Sequence, residues 1–141
     1  LLMQSPITGR TVMNTGGMST KATMSMMWVF VILNMMYADV VSLMDPTSAI
    51  RTRMVGTPLS PGLLLVGALL METAIAMVIL TRLLPYRVNR WVTLVVAAVN
   101  IVAVVTGGHG LYYVFFAAVE VLSMLLIVWL AWQRPAPEPT S

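Results

Sequence analysis

Residues 111–132 read LYYVFFAAVEVLSMLLIVWLAW, twenty-two positions among which Glu120 is the single charge. As a helix this run rises about 33 Å, enough to cross ~30 Å of hydrocarbon. It is bounded on one side by Gly107-Gly108-His109-Gly110, too glycine-rich to continue a helix. On the other side Gln133, Arg134 and a Pro-rich tail (133–141) close the chain.

Moving outward, three further runs have the same character. Residues 91–106 form a third span, preceded by the tight basic connection PYRVNR (85–90). Residues 62–84 form a second, stopped by Pro85, and residues 23–44 a first, ended by Asp45-Pro46 because a residue before proline is pushed out of helical geometry. The loop 45–61 holds Arg51, Arg53, Pro58 and Pro61, and Thr47–Val55 within it reads as a short interfacial helix capped by Thr47 or Ser48. Residues 1–22 are polar and read as a mobile tail. No apolar run there precedes a small-residue cleavage site, so no cleaved signal peptide is expected, and Met3, Met13 and Met18 are each candidate starts. No repeat at a fixed period stands out.

Composition agrees. Of 141 residues, 59% are apolar and 9% charged, against roughly a quarter charged in a soluble domain. A soluble chain of this size could not hide so much apolar surface. A secreted module, a disordered regulator and a conventional cytosolic enzyme are therefore excluded. With no cysteine, disulfides, iron–sulfur clusters, thiolate zinc sites and cysteine nucleophiles are excluded too. The expected fold is an all-α membrane protein, a four-transmembrane-helix bundle.

With four spans, both termini and the second loop share one side. That side holds Arg10, Lys21, Arg82, Arg87, Arg90 and Arg134, against Arg51 and Arg53 on the other. The basic side stays inside, so both termini are expected to be cytoplasmic, with Arg82, Arg87 and Arg90 setting the topology in the inner membrane. Trp28, Trp91, Trp129 and Trp132 all fall at the cytoplasmic ends of their spans and are expected to anchor in the headgroup region.

Five residues do not belong in lipid: Asn34 and Asp39 in span one, Glu72 in span two, Asn100 in span three and Glu120 in span four. At 1.5 Å per residue, Asn34, Glu72 and Asn100 lie ~15 Å from the cytoplasmic end of their spans, Glu120 ~18 Å and Asp39 ~22 Å. Four of the five therefore share the midplane. An ionised carboxylate there costs at least ~2.5–3.5 kcal/mol, and no lysine or arginine lies at that depth. The acids are expected to point inward, hydrogen-bonded to the asparagines or holding a proton. Small residues flank them at helical spacing: Asn34, Ala38 and Ser42; Ala68, Glu72 and Ala76; Ala97, Asn100, Ala103 and Gly107; Ala117, Glu120 and Ser123. Such seams let helices approach closely in bilayers. The bland reading of the layer is glue between helices, and it suits the asparagines; intramembrane acids more often mark a proton, ion or ligand site.

Other signals are weaker. His109 alone in a glycine turn reads as an exposed loop residue and makes no zinc or haem site. The methionines of span one read as flexible filler rather than a copper(I) site. No metal or cofactor is expected, and no nucleic-acid signature is present.

Three segments carry a resemblance: WVFVILNMMYADVVSLMDP (28–46), PYRVNRW (85–91) and YYVFFAAVEVLSMLLIVWLAWQRP (112–135). Over roughly residues 24–134 the chain resembles an uncharacterised bacterial four-helix integral membrane family (domain of unknown function 6326), in broad shape similar to DoxX-like small membrane proteins. The resemblance implies four spans, places weight on Asp39, Asn89, Arg90, Trp91, Glu120 and Trp132, and implies no activity. Glu72 is not among its motif positions.

Three functions compete. The leading one is a non-enzymatic interaction protein, an accessory subunit of a larger membrane complex or a homo-oligomer, in the lipid bilayer. The second is a proton-coupled carrier or pore for a small solute using Glu72 and Glu120. The third is a lipid- or quinone-binding protein, or an enzyme using the acid pair for acid–base work. No catalytic residue is assigned.

Overall fold

The computed structural model describes residues 19–56 and 59–133. Among them are five helices and no strand: α1 (Thr20–Met44), α2 (Ala49–Gly56), α3 (Pro61–Leu83), α4 (Tyr86–Gly107) and α5 (Leu111–Trp132). All but α2 are long and apolar enough to cross a membrane. Most of the two expected tails, with Arg10 and Arg134, lies outside the described residues.

Each helix starts and stops for a local reason. Ser19 caps α1, its Oγ accepting from the Ala22 N–H at 3.3 Å. Ser60 caps α3 in the same way through the Leu63 N–H, with Pro61 in the first turn, where proline's missing N–H costs nothing. Ser48 heads α2, accepting from the Arg51 N–H at 3.1 Å. One boundary departs from expectation. PYRVNR is not a connection before Trp91: α4 already begins at Tyr86, with the Asn89 N–H donating to the Pro85 carbonyl at 2.9 Å. Nothing between Tyr86 and Arg90 opposes a helix, so the polar residues ride on its first turns instead of in a loop.

Around the bundle the order is α3, α1, α5, α4, and the least extensive contact is the one between α3 and α4 that closes the ring. Two cations fasten one end. Lys21 Nζ donates to the Leu84 carbonyl at 2.8 Å and stands 4.9 Å from the Tyr86 ring centre. Arg90 Nε donates to the Ala131 carbonyl at 2.9 Å. Both satisfy carbonyls left orphaned at a helix C-terminus. Beside Arg90, Trp91 and Trp132 meet edge to face with centroids 6.0 Å apart.

The core lies toward this same end. Met24, Trp28 and Val31 of α1 pack with Ala74 and Met77 of α3, Ala97 of α4, and Met124, Ile127 and Ala131 of α5. Trp28 therefore departs from its expected role: it has 0% exposure and fills the bundle centre instead of sitting among headgroups. The alanines Ala74, Ala97 and Ala131 leave the space its indole occupies. Trp91, Trp129 and Trp132 do face outward, at 62%, 59% and 48%.

Candidate functional site

The polar residues expected at mid-span come together from four helices, but in two separate pairs. On the α1–α5 side, Asn34 Nδ2 donates to Glu120 Oε1 at 2.9 Å and to the Phe116 carbonyl at 3.4 Å. On the α3–α4 side, Asn100 Nδ2 donates to Thr73 Oγ1 at 3.3 Å and to the Val96 carbonyl, one turn back, at 2.9 Å. The carboxamide satisfies both neighbours because it carries two N–H donors. Thr73 Oγ1 in turn donates to the Leu70 carbonyl at 2.6 Å.

Glu72 departs from the inward placement expected of it. It is exposed, and the buried positions of α3 are Ala74, Met77 and Thr81. Ala74 lies about 200° round the helix from Glu72, so the carboxyl points almost directly away from the bundle. The seam expected at Ala68, Glu72 and Ala76 is thus the outer face of α3. The rotation of α3 is set from the other side, where Ser25 Oγ of α1 donates to the Val78 carbonyl at 2.8 Å.

Beyond the polar pairs, away from the Trp28 end, the helices part around a cavity of about 200 Å³. Glu120 and Asn100 line its floor, and Asp39 also lines it. Its apolar walls include Met35, Leu70, Met71, Val104 and Phe116, and small residues come from every long helix: Ala38, Gly67, Ala103, Gly107 and Ala117. Tyr113 spans one wall, its hydroxyl donating to the Val104 carbonyl. The ring is seated against Gly107, where an added Cβ would come within 2.6 Å of the Tyr113 oxygen. Asp39, Gly67, Leu70 and Gly107 also line an outer groove of about 650 Å³ between α1, α2, α3 and α4, with Arg53 beside it. The two spaces are therefore adjacent, with these four residues between them.

Glu120 is only 3% exposed. One of its oxygens accepts from Asn34, and the other receives no hydrogen bond from the described residues. No cluster of three or more metal-ligating side chains occurs among the described residues. The site offers carboxyl and carboxamide groups in a half-open, mainly apolar cavity, the usual composition of a small-ligand pocket.

Composition and spacing leave Thr73 and Tyr113 unmarked and point Trp28 at the headgroups. Thr73 sits beside the more conspicuous Glu72. Tyr113 was legible only as an aromatic after the turn. Trp28 lay on the stripe Met24, Trp28, Val31, whose spacing of four and three is itself an inward-face signal.

A family model for a family of unknown function matches residues 15–137. The chain belongs to DUF6326. No curated protein and no solved structure matches it. The DUF6326 positions singled out by resemblance fall in two places: Asp39 and Glu120 line the cavity, while Arg90, Trp91 and Trp132 form the fastening at the other end. Asn89 belongs with the second group, buried beside Met24.

Proposed function

We propose that this DUF6326 member is a non-enzymatic interaction protein that associates in the membrane through the outer face of α3, in the first instance with a second copy of itself. The observation that carries this reading is the outward direction of Glu72. A carboxyl at mid-span depth facing hydrocarbon costs at least ~2.5–3.5 kcal/mol, and no residue of its own chain hydrogen-bonds it among those described. A partner helix relieves that cost. The face around it suits one: Leu65, Ala68, Glu72, Ala76 and Ile79 recur at the three-, four- and seven-residue spacing of a helix-packing seam. Leu65 and Ile79 are 60% and 61% exposed, and the alanines allow close approach. In a twofold assembly about the membrane normal, like depth meets like depth, so Glu72 would face its own copy and two carboxyls could share a proton.

The same reading places both termini on the cytoplasmic face of the inner membrane. Lys21, Arg82, Arg87 and Arg90 gather at one end of the bundle, where Lys21 bridges α1 to the last carbonyls of α3, and positive residues stay inside.

The absence of cysteine from the chain makes the test clean. Ala76→Cys, on the seam, is expected to form a disulfide-linked dimer in native membranes under mild oxidation. Met77→Cys, buried inside the bundle, is expected to remain monomeric. Glu72→Leu should weaken the assembly seen by mass in mild detergent, and Glu72→Gln, which still hydrogen-bonds, should retain most of it. Equal cross-linking from both cysteines would refute the interface. Co-purification of a different membrane protein, lost in Glu72→Leu, would assign the face to an accessory-subunit contact instead.

A further inference from the structure

The cavity between the four long helices raises a question separate from association: what neutralises its carboxyls. Glu120, buried, and Asp39, exposed, both line it, and among the described residues no lysine, arginine or histidine does. The described arginines nearest in sequence are Arg51, whose Nη1 donates to the Met44 carbonyl at 3.1 Å, and Arg53, which lies along the outer groove and not in the cavity. Asn34 supplies one hydrogen bond to Glu120 and Asn100 spends its donors on Thr73 and its own helix. Tyr113 directs its hydroxyl at Val104. The cavity therefore holds one buried carboxyl, Glu120, whose second oxygen receives no hydrogen bond from the described residues, and a second, exposed carboxyl, Asp39, at its open side.

We propose that this cavity is a binding site for an organic ammonium ion carrying an apolar body. Charge selects the cation: burying a carboxylate without a partner is costly, and a paired ion relieves it. The walls select the rest. Phe116 and Tyr113 line this half-open space, and aromatic faces attract ammonium groups. The volume limits the head. An enclosure near 150 Å³ accepts benzene, so about 200 Å³ takes one ring or a trimethylammonium group with a short extension. The adjacent groove is lined by Leu43, Leu63, Leu64, Val66 and Leu70, among others, and would receive the apolar remainder. An inorganic cation has no use for such a groove, and an anion would meet two carboxyls.

The probe is benzyltrimethylammonium, whose charge does not vary with pH, titrated calorimetrically into the full chain in lipid nanodiscs. Benzyl alcohol and benzylsulfonate serve as neutral and anionic counterparts of similar size. Saturable binding of the ammonium at one site per chain is expected, at least tenfold tighter than either counterpart. Glu120→Gln keeps the side-chain length and can still accept from Asn34; it should lower the affinity at least tenfold, and Asp39→Asn should lower it by a smaller factor. Equal binding of benzyl alcohol, or retention of affinity in both variants, overturns the proposal. The comparison among the three probes needs no variant, so it stands even if a substitution disturbs folding. The outcome is also independent of the Ala76→Cys cross-link, since neither Glu72 nor Ala76 lines the cavity.

Discussion

From Met24 to Val31 the interior of the bundle is filled; from Met35 to Asp39 it stands open. The same four helices build both halves, and both use small residues on all or most of them. The difference lies in what faces the small residues. At the filled end Ala74, Ala97 and Ala131 are met by Trp28, Met24, Met77 and Met124, large side chains that reach across the centre. At the open end Ala38, Gly67, Ala103, Gly107 and Ala117 face one another, with Tyr113 held to the side by its bond to Val104. Small against large gives interior packing density; small against small gives a cavity. α3 accentuates the contrast, because all its buried residues lie at Ala74 or later and positions 61–69 are exposed.

The contrast is broken most severely by Trp28→Ala. Removing a fully buried indole takes away the contacts of its neighbours and leaves a void where the helices cannot collapse freely. A loss of roughly 3–5 kcal/mol is expected, measured by reversible unfolding in mixed micelles. A loss below about 1 kcal/mol would show that the filled end is less tightly packed than its burial implies. Overpacking sharpens the same comparison from the other direction. Ala97→Leu forces a larger side chain into the filled half and should cost roughly 1–3 kcal/mol. Ala103→Leu, on the same helix but lining the cavity, has room to enter and should lie within about 0.5 kcal/mol of the parent. If the two substitutions cost the same, the halves do not differ in packing.

How much of this was legible beforehand follows the same division. Depth along each helix can be counted from a span's end, so the midplane residues Asn34, Asn100 and Glu120 were placed at a common level, and Asn34 with Glu120 is a pair in the structure. Rotation about the helix axis is another matter in lipid. Apolar residues are equally welcome inside the bundle and against acyl chains, so hydrophobic periodicity does not say which face of α3 turns inward. Glu72 carries the strongest polar signal in its span, and on sequence alone that signal points it inward. Ala74, Met77 and Thr81 decide otherwise, and only the small Ala74 and the hydroxyl of Thr81 mark them, a signal that Ala68, Glu72 and Ala76 carry at least as strongly. Trp28 shows the complementary ambiguity: a tryptophan near a span's end suits the headgroups as well as a bundle centre, and only its stripe with Met24 and Val31 separates the two. The pairing of Asn100 with Thr73 was beyond reach for the same reason, since it depends on the rotation of α3.

The mildest perturbation lies at the rim of the open half, where α1 passes into α2. Asp45 follows the last turn of α1, and its Oδ1 accepts from the Thr47 N–H at 2.8 Å and from Thr47 Oγ1 at 2.7 Å. These bonds favour the ionised form, the backbone one most, and hold the carboxyl below its ordinary range. A lowered value in the fold means the turn's contribution is complete above the ordinary carboxylate pKa and fades as pH falls through the folded one. Asp45→Asn keeps an oxygen acceptor and removes the titration. Its melting temperature should therefore stay close to the parent's near neutral pH. The parent should lose a small increment on acidification below about pH 4 that the variant does not. Because Asp45 is at the surface, this increment is expected to be far smaller than the effects at Trp28 and Ala97. Parallel melting curves for both proteins down to pH 2 would show that the Asp45–Thr47 turn adds nothing to the closure of this end.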